Sequence, residues 1–253
     1  MEKINLSVII PVLNEAETIA QTLESLQTPS VEIIVVDGGS TDQTIPLAQT
    51  KGVKLVLSPE PGRAMQMNTG AKYATAETLL FLHADTQLPE NYPQLIKETL
   101  ANPKTIAGAF QLKINHQNFL LRIIEKGVNA RSRFLQMPYG DQGIFLKKAT
   151  FEKIGGFPDL PIMEDFQLIQ NLRKQGKIQL ASASVVTSAR RWKKLGVIKT
   201  TLINQIVILG YFLGISPTEL RQWYSGSNLC FQTILINLLQ RMTQGYYRKH
   251  WKK

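Results

Sequence analysis

Two apolar runs near the start of the chain, each ending in a polar turn and followed by a helical periodicity, organise the first fifty residues. The first run, Leu6–Ile10, reads as a strand that breaks at Pro11. The following segment places Ile19, Leu23 and Leu26 on one face of a helix, with Asn14 as its cap and Glu17 three residues on. The second run, Ile33–Val36, is β-branched throughout and reads as a strand buried on both faces, as in a parallel sheet. It stops at Asp37, where Gly38 and Gly39 permit a tight turn and Ser40, Thr41 and Asp42 offer caps for a helix. A carboxylate at the carboxyl end of such a strand stands where open α/β sheets bind ligands. Two βα units in succession predict a nucleotide-binding α/β domain.

The alternation continues. Strands are expected at Val53–Leu57, Thr78–His83, Ile144–Leu146 and Ile178–Thr187. Helices are expected at Ala64–Ala74, Pro89–Leu100 and Asp165–Gln175. The strand expected at Ile106–Ile114 breaks the alternation, and an amphipathic helix rich in Leu, Ile and Phe covers 118–135. After Trp192 the texture changes. Residues 200–216 are apolar but contain Asn204 and Gln205, and 229–239 form a shorter apolar run. A bilayer-spanning helix needs about 20 predominantly apolar residues, so both read as amphipathic helices. The expected domains are therefore 1–192, mixed α/β, and 193–253, a helical and basic appendage.

Charge sharpens this division. The net charge is +10, and beyond Asp165 fourteen Lys and Arg face the single acid Glu219, which makes that part +13 and leaves −3 for residues 1–165. Such asymmetry points to an anionic partner for the C-terminal part. No nucleic-acid signature accompanies it, so an anionic membrane surface or a diphosphate is the better match. The tail 241–253 interleaves Tyr246, Tyr247 and Trp251 with five cations, which suits a membrane interface; the competing reading is a pair of core-packing helices with a solvated basic tail. The lone Cys230, read as an apolar filler, excludes an internal disulfide and fits a reducing compartment. Leu6–Leu13 is too short and too interrupted by Pro11 for a signal peptide, so a cytoplasmic-facing protein is expected, peripheral on the membrane.

Six segments together resemble family 2 glycosyltransferases of the GT-A fold: VIIPVLNE at 8–15, VVDGGSTD at 35–42, GRAMQMNTGA at 62–71, LLFLHADT at 79–86, GDQGIF at 140–145 and MEDFQL at 163–168. They stand in the family's order across roughly residues 4–192. The resemblance implies a Rossmann-like mixed sheet flanked by helices, and an inverting transfer of sugar from a nucleotide-diphosphate sugar to an acceptor hydroxyl. It places Pro11, Asn14, Glu15, Asp37, Gly39, Arg63, Asn68, Asp85, Arg190 and Arg191 on the donor side. Glu15 has a second reading, as a first-turn helix acid favoured by the dipole.

The family usually carries an Asp-x-Asp pair where this chain has His83, Ala84 and Asp85, so only Asp85 carries over as ligand for Mn²⁺ or Mg²⁺. A hard cation there would neutralise the diphosphate leaving group. His83 either adds an imidazole ligand or packs. MEDFQL supplies the expected catalytic acids: Asp165 as the general base that deprotonates the acceptor hydroxyl, and Glu164 assisting by orientation or acceptor binding. Gly140, Asp141 and Gln142 resemble the acceptor-side loop, and Trp192 is placed to stack on an acceptor ring. The hydrophobic C-terminal helices favour a lipid-linked or hydrophobic alcohol acceptor over a soluble one.

Two competitors stand beside this reading. A sugar-1-phosphate nucleotidyltransferase would want a Gly-rich, cation-bearing loop after the first strand, and VIIPVLNE has neither. A non-catalytic sugar- or lipid-binding protein on the same fold is disfavoured by the retained Asp37, Asp85 and Asp165. No Ser–His–acid triad, zinc spacing, P-loop or GxGxxG is legible.

Overall fold

A computed structural model describes residues 5–26 and 28–225. The chain divides into two compact units, one of residues 1–159 with 164–189, the other of 160–163 with the residues from 190 onward.

The first unit opens on β1 (Leu6–Val12), α1 (Ile19–Glu24), β2 (Val31–Asp37), α2 (Thr44–Gln49), β3 (Lys54–Leu57), α3 (Arg63–Tyr73) and β4 (Thr78–Phe81). These are βα units, so β1 to β4 are parallel, in the order β3-β2-β1-β4. Then come β5 (Thr86–Gln87), α4 (Tyr92–Ala101), β6 (Thr105–Asn115), α5 (Phe119–Phe134), a 3-10 turn (Gly140–Gln142), β7 (Ile144–Lys147), α6 (Lys148–Lys153), α7 (Glu164–Arg173) and β8 (Lys177–Ser188). The antiparallel β7 joins β4 to β6, and β8 then β5 complete an eight-stranded mixed sheet among the described residues.

Apolar side chains of the central strands, Ile9, Ile34, Val36, Leu79 and Phe81, pack against Met67 and Ala71 of α3 and Leu168, Ile169 and Leu172 of α7. Glycine sets the closeness of that packing at two points. A Cβ on Gly70 would fall 2.4 Å from Ile9 Cγ2, and one on Gly108 would fall 2.3 Å from Phe145 Cε2, so α3 lies on β1 and β6 lies beside Phe145 at distances that a larger residue would force apart.

Two expectations at the first loop need correction. β1 does not break at Pro11 but runs on to Val12, with Pro11 opposite Val36. Ile9 faces β4, since its carbonyl accepts from Leu82 N at 3.0 Å, so Pro11, two residues on, turns its missing N–H to the same side; the β1–β4 pairing has already ended at Ile9–Phe81. Asn14 does not cap α1, which begins at Ile19 behind Thr18. It adopts a left-handed φ of 56° and its Oδ1 accepts from Thr41 N at 2.9 Å, tying the first loop to the second. The predicted stripe Ile19, Leu23 and Leu26 is fully buried.

The second unit contains α8 (Arg190–Leu195), α9 (Val197–Phe212) and α10 (Pro217–Ser225). α9 and α10 close on each other at Gly210, where a Cβ would lie 2.8 Å from Leu220 Cδ2, and Leu220 and Trp223 are buried there. Among the described residues no helix is long and apolar enough to cross a membrane. The helix expected at 229–239 and the basic tail lie outside the described residues.

Candidate active site

Three loops meet at the carboxyl ends of β1, β2 and β4. The first two are bolted together: Asn14 N donates to Ser40 Oγ at 2.9 Å, Glu15 N to Thr44 Oγ1 at 2.7 Å and Ala16 N to Asp42 Oδ2 at 3.2 Å. Glu15 is no first-turn acid, because α1 has none in its first turn. Asp37 ends β2 and is only 1% exposed. Its Oδ2 accepts from Gly39 N at 2.8 Å and from Ser40 N at 3.0 Å, so the carboxylate shapes its own turn. Gly39 sits at φ 101°, a conformation that favours glycine.

From GRAMQMNTGA, Arg63 opens α3 with an exposed side chain that forms an ion pair with the buried Glu164. Gln66, one turn on, was not singled out from the sequence; its Nε2 donates to Val12 O at 2.7 Å and Val36 O at 2.8 Å and clips the ends of β1 and β2 together. Asn68, expected near the donor, instead makes a two-way clamp: its Nδ2 donates to Phe157 O at 2.8 Å and its Oδ1 accepts from Phe157 N at 2.9 Å. That clamp fixes Phe157 against Phe81 and Phe151, with ring centroids 4.8 and 5.6 Å away.

The chemistry-bearing side chains converge on the backbone of Gly140. Its N–H donates to Asp165 Oδ2 at 2.7 Å, and a Cβ there would lie 3.0 Å from His83 Nε2 and 3.1 Å from Asp165 Oδ2. His83, Gly140 and Asp165, from segments separated by up to eighty residues, therefore share one small volume. Asp165 sits in the first turn of α7, where a negative charge is favoured by the helix dipole, and its Oδ1 accepts from Phe166 N at 2.7 Å.

Electrostatics follow from this crowding. Burial and the positive charge of Arg63 push His83 down to about 3, with Asp165 opposing, so the imidazole is neutral at pH 7. Burial pushes Asp141 up to about 6; Asp165 and Asp85 add to the rise, while Arg131 and Arg63 oppose it. Glu164 is raised as well, chiefly by burial, against the pull of Arg63. Asp141 Oδ1 and Glu164 Oε2 are buried without a hydrogen-bond partner.

Gln142, expected on the acceptor, is a correction: it is 0% exposed and its amide is consumed internally. Oε1 accepts from Ser132 Oγ at 2.7 Å and from Tyr139 N at 3.2 Å, and Nε2 donates to Phe110 O at 2.9 Å. It holds the turn that presents Gly140. Arg131, not foreseen, stacks its guanidinium 3.5 Å over the Tyr139 ring and donates to Met137 O at 2.9 Å. Arg190, Arg191 and Trp192 belong to the second unit, where Arg191 donates to Tyr224 O at 2.6 Å and stacks 3.7 Å from the Tyr224 ring.

Among the described residues, no three His, Cys, Asp or Glu side chains are grouped to hold a metal. Asp85 is an electrostatic neighbour of Asp141, and a carboxylate there has the chemistry to bind a hard cation that keeps waters rather than one held in a dedicated cage.

This sheet order and this cluster at its carboxyl edge define a GT-A fold, shared with several glycosyltransferases of known structure. The match to Glycosyl transferase family 2 extends over residues 7–155, more than half of the chain, and the protein belongs to that family. MEDFQL lies beyond the matched span. Among curated relatives, poly-beta-1,6-N-acetyl-D-glucosamine synthase of Staphylococcus epidermidis is 29% identical over 179 residues, 63% of this chain and 43% of that protein. A PGL/p-HBAD biosynthesis glycosyltransferase of Mycobacterium bovis is 37% identical over 93 residues, 33% of this chain and 36% of that protein. The chain thus spans less than half the length of these relatives. Among solved structures, the mannosyltransferase PcManGT from Pyrobaculum calidifontis, in complex with GDP-Man and Mn2+, aligns with a TM-score of 0.65 at 19% identity, covering 97% of this chain and 76% of that one. S. aureus TarS 1-349 in complex with UDP-GlcNAc aligns with a TM-score of 0.60 at 19% identity, covering 94% and 72%.

Proposed function

We propose that this family 2 glycosyltransferase moves a sugar from a nucleotide-diphosphate donor to an acceptor hydroxyl by a single inverting displacement, with Asp165 as general base. The observation that carries the reading is the convergence on Gly140: Asp165 is held by a backbone N–H, beside a neutral His83 and a partly protonated Asp141. A sugar or alcohol hydroxyl is a weak nucleophile until a positioned carboxylate takes its proton as the new bond forms. In the proposed step the acceptor oxygen bonds to the anomeric carbon, Asp165 receives the hydroxyl proton, and the bond to the diphosphate oxygen breaks to release a nucleoside diphosphate. Glu164, fixed by Arg63, orients the acceptor side. Asp37, Gly39, Asn14, Glu15 and Pro11 form the donor side, where Asp37 shapes the turn that meets the nucleotide.

A divalent cation, Mn²⁺ or Mg²⁺, held by Asp85 would neutralise the diphosphate. The complexes of the structural neighbours with GDP-Man and Mn2+ and with UDP-GlcNAc support both donor class and cation. A lipid-linked or hydrophobic alcohol acceptor, and a peripheral position on the cytoplasmic face of an anionic membrane, complete the proposal. Along α9 the side chains of Ile198, Leu202, Leu209 and Phe212 are exposed on one face, with Lys193, Lys194 and Lys199 exposed nearby, which supports the membrane position.

The test is Asp165→Asn. An Asn can still accept from Gly140 N–H, but its NH2 then faces Phe166 N–H, so a folded protein of somewhat lower stability and kept donor affinity is expected, with transfer down by on the order of 10²–10⁴. A folded Asp165→Asn protein with unchanged transfer removes Asp165 from the chemistry.

A further inference from the structure

α5 carries polar side chains on its inner side and large apolar ones on its outer side. Three of its polar side chains bond the protein beneath: Asn129 exchanges hydrogen bonds with Leu112, accepting from its N–H at 2.7 Å and donating to its carbonyl at 3.0 Å. Glu125 accepts from Ile114 N, and Arg122 donates to Ile114 O at 2.6 Å. The helix therefore meets the β6 backbone from Leu112 to Ile114 with side-chain polar groups, beside the buried Leu121.

Leu121 is buried and Ile124 and Val128 are half-buried, but the largest apolar side chains of the helix face outward. Phe119, Ile123 and Phe134 are 73%, 52% and 77% exposed, and at spacings of four and eleven residues they share one helical face. Lys126 and Arg133 are exposed on that face, as is Lys113 on β6. The only acid of the helix, Glu125, is buried. An ordinary surface helix shows the opposite arrangement.

We infer that the outward face of α5 seats this catalytic unit on an anionic lipid bilayer. Charge complementarity selects that occupant: an apolar stripe flanked by cations, without an exposed acid, matches a helix lying in the plane of an anionic interface. At 16 residues α5 is too short to span a bilayer but long enough to lie along its surface. Six residues after its end, Gly140 begins the turn that holds Asp165, so a bilayer under α5 is met by the element leading into the acceptor side. The inference rests on the membrane position proposed above for the nature of the partner, but it uses residues of the catalytic unit rather than the C-terminal segment.

The experiment uses the full chain in a Cys230→Ser background with Ile123→Cys labelled by an environment-sensitive fluorophore. Vesicles of phosphatidylcholine alone and of phosphatidylcholine with phosphatidylglycerol are the probes, at low and high salt. A blue shift with the anionic vesicles, reversed by salt, is the expected result. In parallel, the triple variant Phe119→Ser, Ile123→Ser, Phe134→Ser should float with anionic vesicles at least about tenfold less while keeping the far-UV spectrum and melting temperature of the parent. If the chain floats but the label does not shift, or the triple variant floats like the parent, α5 is not the docking face and the membrane proposal stands on the C-terminal segment alone. If the chain does not float at all, both fail. Should the parent be a dimer that the triple variant converts to monomer without any vesicle binding, the face pairs two copies and the inference is overturned.

Discussion

Replacing Gln142 with Leu separates the two roles this residue has been given. As an acceptor contact it would change the Michaelis constant and leave stability alone. The structure makes it a fully buried brace, and the consequence can be worked out bond by bond. Leu has similar bulk but no polar atoms, so Phe110 O, Tyr139 N and Ser132 Oγ lose their partners. A buried donor or acceptor left unpaired costs about 1–3 kcal/mol. Ser132 Oγ lies 3.5 Å from Met137 O and can turn to it, which removes part of one penalty. Arg131, half-buried, can turn to solvent and adds little. About 3–6 kcal/mol of destabilisation is expected, a large share of the ~5–15 kcal/mol that holds a domain together. Denaturant unfolding with a shared m-value is the assay. Gln142→Glu supplies a second arm: it keeps one acceptor oxygen and sets the other against Phe110 O, so it should be destabilised at pH 8 and recover as acidification lets that oxygen carry a proton. A Leu variant within about 1 kcal/mol of the parent, with a raised acceptor Michaelis constant, would refute the brace and restore the acceptor contact.

Three further outcomes follow from the same structure. Asp141 is raised to about 6 in the folded chain against 3.8 for the free side chain, so the native state binds more protons between those values; stability should rise as pH falls from 7 towards 4, and Asp141→Asn should flatten that rise in thermal melts. Asp85→Ala should weaken donor binding measured with Mn²⁺ and leave binding in EDTA unchanged; full activity of the parent in EDTA would remove the cation from the proposal. Gly70→Ala should destabilise by about 1–3 kcal/mol through the contact with Ile9, with no change in donor affinity beyond that loss of folded protein.

What the sequence revealed divides along a physical line. Ile33–Val36 could be read as a buried strand because local periodicity and β-branching report burial directly, and the same holds for the Ile19, Leu23 and Leu26 stripe. Asp37 was legible as a candidate because it ends an apolar run, whereas Asp85 and Asp165 stood out through the resemblance of HADT and MEDFQL to family 2 glycosyltransferases. The short elements β5, α6, α8 and α10 were not foreseen; β5 has two residues and owes its pairing to Val186 and Thr187, a hundred residues later. The amides were misjudged or missed for a related reason. Asn68, Gln66 and Gln142 differ from surface amides only through backbone partners that lie 89, 54 and 32 positions away in the chain. Nothing in the local pattern reports such partners. Pro11 misled because its effect depends on which neighbouring strand has already ended.

Hydrogen-bond satisfaction then separates the residues that build the site from those facing its chemistry. Gln66, Asn68, Asp37 and Gln142 spend their polar atoms on backbone and hold loops in place. In the catalytic unit, among the described residues, three side-chain atoms are buried without a hydrogen-bond partner: Arg122 Nε, Asp141 Oδ1 and Glu164 Oε2. Two of the three are carboxylate oxygens around Asp165. An unpaired buried carboxylate oxygen is costly, and a fold keeps one where a hydroxyl or cation supplies the missing bond. The elevated pKa of both acids has the same origin in burial, and arginine moderates each: Arg63 for Glu164, Arg131 and then Arg63 for Asp141. Asp165 differs from both, with each oxygen fixed by a backbone N–H at 2.7 Å. In the proposed mechanism the base has to be held still, whereas groups that orient a hydroxyl need open lone pairs, and the hydrogen bonding of the three carboxyl groups is what that proposal requires.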